Sequence, residues 1–158
     1  MKLKFYLSFI LLVLAAVSGF SAEPVEYQIV GSGSGTQGNY LVKVYVISKK
    51  NKPDLAVLKK CAVHGVLFKG FSDQNSRINQ KPLAGSALAE QEHSDFFVPF
   101  FQEGGAYLNY VDLVTPQYDI VKMAKKQYRI GATFTVSKEQ LRKDLEKAGV
   151  IKGLASGF

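Results

Sequence analysis

Asp54 to Phe71, DLAVLKKCAVHGVLFKGF, is the stretch whose reading decides the fold. At 100° per residue, Leu55, Val57, Leu58, Cys61, Ala62, Gly65, Val66 and Phe68 fall within about half of a helix circumference, while Lys59 and Lys60 lie outside that arc. A helix so apolar needs a sheet to lie on. Asp54 is placed to accept from the first free N–H groups of that helix, after a turn at Lys49–Pro53. Gly65 costs about 1 kcal/mol relative to Ala in a helix interior, so it marks either a close backbone neighbour or an early helix end near His64.

Upstream, Tyr40–Ser48 alternates apolar and polar residues and reads as a strand. It is preceded by a short strand over Val25–Val30 and the polar loop Gly31–Gly38, GSGSGTQG. Gly33, Gly35 and Gly38 satisfy the spacing GxGxxG, but the loop leads into a strand. No helix amino terminus is supplied to hold a phosphate, and a hairpin or strand connection is the expectation, with a mobile ligand-covering loop as the alternative. At the far amino terminus, Lys2 and Lys4 precede an uncharged run from Phe5 to Phe20 and the small residues Ser21 and Ala22. This is the layout of a secretory signal peptide over 1–22, the run being shorter than the ~20 residues a spanning helix needs. A periplasmic or secreted mature protein is therefore the expectation.

Downstream, Ser72–Leu88 is polar and turn-rich, and reads as either an ordered excursion or a mobile loop. Phe96, Phe97, Phe100 and Phe101 recur at helical spacing as a core stripe, with Pro99 set to kink the helix and Gly104 to stop it. Tyr107–Val114 and Tyr128–Val136 read as strands that pair antiparallel, with a turn around Pro116. Ser137 and Gln140 have the spacing of a capping box ahead of Leu141, Leu145 and Ala148, and Gly149 ends that helix. Residues 153–158 read as a flexible tail. The expected fold is one α+β domain over 23–152: a single layer of mixed or antiparallel sheet with about four strands, and two to three helices packed on one face.

Composition bounds the chemistry. Loss of Lys2 and Lys4 with the leader takes the formal charge from +7 to +5, and about 136 residues suffice for one core. The cations stand in short clusters: Lys49, Lys50 and Lys52; Lys59 and Lys60; Lys122, Lys125, Lys126 and Arg129. They form a solvated face or a weak contact with an anionic membrane or wall surface, and an exported chain gives no reason to expect nucleic acid. Cys61 is the only cysteine, so no intramolecular disulfide forms, and its place in the apolar arc makes it a buried, inert thiol.

Two constellations have catalytic or metal-ligating residue types. Cys61 and His64 lie one helical turn apart, as a thiol and base or as two metal ligands would. His93 stands among Glu90, Glu92 and Asp95, but adjacent helical positions cannot all face one ion. Neither constellation converges on a catalytic, cofactor or metal site. The leading expectation is an exported, non-enzymatic binding or assembly module of the cell envelope with an envelope protein as partner. The alternative is a small exported ligand-binding protein or enzyme using Cys61, His64 or His93.

The strand leading into a helix with Leu55, Leu58, Ala62 and Val66, and the later strand YRIGATFTV running into SKEQLRKDLEKAG, resemble the amino-terminal domain of flagellar assembly protein T and related small envelope lipoproteins. The resemblance spans roughly 40–149 in element order and apolar pattern. It implies an α+β interaction module in envelope assembly. The chain departs from the lipoproteins in having no cysteine directly at the end of its apolar leader run to carry a lipid anchor.

Overall fold

The computed structural model describes residues 25–73 and 78–153. The expected leader over 1–22 and most of the tail lie outside the described residues. The elements run β1 (Tyr27–Gly31), β2 (Asn39–Ser48), α1 (Leu55–His64), β3 (Phe71–Asp73), β4 (Ile78–Gln80), α2 (Ala89–Glu92), α3 (Ser94–Phe100), β5 (Val111–Leu113), β6 (Asp119–Ala124), β7 (Gln127–Ser137) and α4 (Lys138–Lys147). A π-helical turn, Gly65–Lys69, continues α1, and a 3-10 turn, Ala106–Tyr110, leads into β5.

The fold is α+β, as the residue pattern predicts. Its main sheet has five antiparallel strands, one more than expected, and β3 and β4 form a separate two-stranded hairpin. β7 is the central strand. One of its edges pairs with β2 over most of its length, from Asn39 opposite Ser137 to Ser48 opposite Tyr128. The other edge is shared by β5, which pairs with Phe134–Val136, and β6, which pairs with Gln127–Gly131. Residues 114–118, around Pro116, interrupt what would otherwise be one continuous edge strand. β1 closes the opposite side against β2.

Period-two alternation places Val42, Val44 and Val46 of β2 and Ile130, Ala132, Phe134 and Val136 of β7 in the core. Leu58, Ala62 and Val63 of α1 and Val66 and Leu67 beyond it are buried in the same cluster. Asp54 accepts from the Val57 N–H as the sequence predicts. Gly65 is where the α-helix widens into the π turn. A Cβ there would come within 2.8 Å of Ile29 Cδ1, so the glycine lets this segment approach β1. The turn's carbonyls are not orphaned: Val66 and Leu67 accept from the N–H groups of Leu83 and Ala84. Those two bonds hold part of the Ser72–Leu88 excursion against the core.

Three local expectations need correction. The aromatic helix is two short helices broken at His93, whose φ/ψ of −118°/41° leaves the helical region. The strand expected over Tyr107–Val114 is a 3-10 turn followed by the three residues of β5. The capping box at Ser137 does not form, because β7 runs through Ser137 directly into α4 and the Ser137 side chain makes no cap bond. The Gly38 carbonyl takes the Glu139 N–H instead, and Gln140 turns to Asp144, donating at 2.9 Å.

The stripe itself is core. Phe97, Phe100 and Phe101 are buried among Phe68 and Tyr107, with edge-to-face and tilted ring contacts at 4.8–6.2 Å. Val98, on the opposite side of α3, is 71% exposed. Replacing Phe97 by Ala should therefore lower unfolding free energy by about 3–5 kcal/mol in urea titration. Val98→Ala should stay within about 0.5 kcal/mol.

Candidate functional site

The fold regroups the residues singled out for chemistry, joining His64 to Glu90 rather than to Cys61. Cys61 is buried on the core side of α1, and burial pushes its thiol up to about 11. His64, one turn on, does not bond to it. The imidazole is instead held in a chain: Nδ1 lies 2.6 Å from the Tyr27 hydroxyl and Nε2 lies 3.0 Å from Glu90 Oε2. His93 sits at the break between α2 and α3, outside that chain.

Proton positions in the chain follow from the chemistry of its members. Burial pushes the His64 pKa below its usual value, and Glu90 pulls it back only in part. The ring is therefore neutral at neutral pH and has one N–H. The Glu90 carboxylate only accepts, so Nε2 carries the hydrogen and Nδ1 accepts from the Tyr27 O–H. Tyr27 is not activated by this arrangement, because burial raises its hydroxyl pKa. Phe68 and Phe101 wall the ring at centroid distances of 4.8 and 5.6 Å, and Lys69 Nζ stands 3.6 Å over the Tyr27 ring. The chain ties β1, α1 and α2 together.

Two clefts lie near these groups. One, of about 350 Å³, is lined by Lys60, Glu90, Phe97, Val98, Phe101 and Gln102. Glu90 borders it, whereas Tyr27 and His64 are not among its lining residues. Phe96, Phe100 and Tyr107 pack in or against the solid core and do not line it. The other, of about 210 Å³, lies beside the glycine loop, where Gly33 N donates to Asp73 at 3.0 Å and Tyr40 donates to Gln80 at 3.0 Å. Among the described residues no cluster of three or more His, Cys, Asp or Glu is arranged to hold a metal ion, and no helix is long and apolar enough to cross a membrane.

The feature that sequence reasoning missed is β6, DIVKMA. All six of its residues are exposed, including Ile120 (43%), Val121 (42%) and Met123 (56%). It pairs with β7 alone, and among the described residues no other backbone bond reaches 119–124. Ile120 pairs with Ile130 and so lies on the core-side face, whereas Val121 pairs with Arg129 on the outer face. Both faces of this edge strand thus show apolar side chains to solvent. The β-branched pair Ile120–Val121 before the Lys125–Lys126 turn was the available signal.

The surroundings of β6 are basic. Lys122, Lys125, Lys126 and Arg129 belong to the β6–β7 hairpin, whose turn includes Lys126 at φ 56°. The β2–β7 ladder ends at Ser48 opposite Tyr128, so Lys49 and Lys50 leave β2 at the same end of the sheet. Asp119 is ion-paired across the sheet to Lys43. On the outer face the Tyr45 ring covers Gly131, where a Cβ would fall within 2.6 Å of the ring. The Arg129 guanidinium lies 5.0 Å from the ring centroid, and its Nε has no hydrogen-bond partner among the described residues.

No family model, curated protein or solved structure matches the chain.

The Tyr27–His64–Glu90 chain carries a pH prediction. The unfolded chain binds a proton at His64 near the usual 6.5, while the folded chain resists it. The unfolded state therefore binds more protons as pH falls through 6.5, and stability declines on acidification until the folded imidazole also titrates. Urea midpoints measured from pH 8 down to about 5 should fall for the parent, and fall less steeply for His64→Gln. Tyr27→Phe leaves Nδ1 without its donor and should cost about 1–3 kcal/mol at neutral pH.

Proposed function

We propose that the protein is an exported, non-catalytic binding module of the cell envelope, which docks a protein partner through the β6 side of its sheet. The observation that carries this reading is β6 itself: a strand with one edge unpaired among the described residues, apolar side chains exposed on both faces, and a basic surround. Exposed apolar residues that stand singly are ordinary on a protein surface, whereas a contiguous set on an open strand edge marks an interaction site or an aggregation hazard. The lysines guard against the second. The leader expected over 1–22 supports a periplasmic or secreted location. The resemblance to envelope assembly domains points the same way.

His64 and Glu90 serve the fold in this reading, by bracing β1 and α2 against α1. A photo-crosslinking side chain placed at Met123 in cells should give a discrete protein adduct, while the same group at Leu88, also exposed, should not. Equal labelling from both positions, or a turnover activity abolished by His64→Ala with the fold intact, would contradict the proposal.

A further inference from the structure

The β6 edge also constrains the kind of partner it accepts, given the binding-module reading on which this inference rests. We propose that β6 takes an extended acidic segment of the partner protein as an added antiparallel or parallel strand, one whose side chains alternate between carboxylates and apolar groups.

Three properties of the edge select this occupant. The outward backbone N–H and C=O groups of β6 make no bond among the described residues, and an added strand satisfies such groups in a row. Apolar side chains point to both faces, Ile120 to one and Val121 to the other, so the apolar side chains of an alternating strand, all on one of its faces, meet an apolar side chain of β6 whichever face they take. The charge beside the edge is positive: Lys122 within the strand, Lys125 and Lys126 at the turn, and Lys49 and Lys50 at the same end of the sheet. Asp119, the acidic residue of β6, is already engaged by Lys43.

The same properties disfavour other occupants. A second copy pairing through β6 would bring the lysines of the two strands together, and like charges across a ladder are destabilising. A bilayer would leave the open backbone edge without partners wherever it entered hydrocarbon, and the outermost residues of the hairpin are Lys125 and Lys126 rather than apolar. Duplex nucleic acid would use the lysines but leave Ile120 and Val121 uncovered.

The test uses the ¹⁵N-labelled protein and a blocked heptapeptide alternating Glu and Val. Saturable shifts should centre on residues 119–124, with slowed amide exchange at alternate β6 positions, and affinity should fall as salt rises. Methylating alternate peptide nitrogens along the pairing edge should abolish binding. Lys122→Glu together with Lys125→Glu, both at exposed positions, should weaken it by about ten-fold or more with the fold unchanged by circular dichroism. The matching Lys and Val peptide should not bind.

No β6 response at millimolar peptide, equal binding of the Lys and Val peptide, or undiminished binding after methylation would each overturn the inference. So would β6 shifts produced by anionic phosphatidylglycerol vesicles but not by the peptide. If crosslinking from Met123 still yields a discrete adduct while the peptide fails, the binding-module reading survives and only the acidic-strand partner is lost. If both fail, the reading goes with it.

Discussion

The long pairing of β7 with β2 is the constraint on which the rest of the structure depends. Ten residues of β2 and their partners on β7 run side by side, and the period-two side-chain rule then sends Val42, Val44, Val46, Ile130, Ala132, Phe134 and Val136 to one face together. A slip of one residue would turn that entire set to solvent. Once the register is set, α1 has an apolar floor, and the segments after it close over the helix. β7 is also longer than either partner on its far side, so β5 and β6 divide that edge between them. Residues 114–118 make the break, and β6 is left at the end of the sheet beyond the cover of the helices.

The helix layer is locked on by a mixture of close approach and polar bracing. Gly65 allows the π turn to press against Ile29, and the Val66 and Leu67 carbonyls are taken by the loop that comes after it. The imidazole of His64 then bridges from β1 to α2 through Tyr27 and Glu90, in surroundings that keep it neutral. His64 is half-buried, and each of its ring nitrogens has one hydrogen-bond partner. A second polar lock holds α4: Tyr110 donates to Asp144 at 2.7 Å, which depresses the pKa of that carboxylate.

Much of this was legible in the residues. Strong alternation announced β2 and β7, and the α1 arc and its Asp54 cap were readable because local signals and burial agree there. The phenylalanine stripe announced core. The features that stayed hidden depended on partners distant in sequence. Nothing in Ser137–Gln140 reveals that the Gly38 carbonyl will take the Glu139 N–H. His64 offers Cys61 as its near neighbour along the helix, but the fold supplies Tyr27 and Glu90 instead. β6 was obscured because Lys122 and the Lys125–Lys126 pair read as a charge cluster and its Ile120–Val121 pair breaks simple alternation. Its strand character comes from the waiting edge of β7, a tertiary effect that overrides local propensity.

The candidate interface is therefore a by-product of sheet geometry: the end of an edge that the core does not need and the helices do not cover. Lysines keep such an edge from joining its own copies, and they also give it a charge that a partner must complement. The most direct measurement of that open edge is residue-resolved amide hydrogen exchange on the purified protein. Amides throughout the β2–β7 ladder should be protected, while β6 amides directed away from β7 should exchange nearly as freely as loop amides. Protection of every β6 amide to the level of β2 would contradict this, because the edge would then already be occupied.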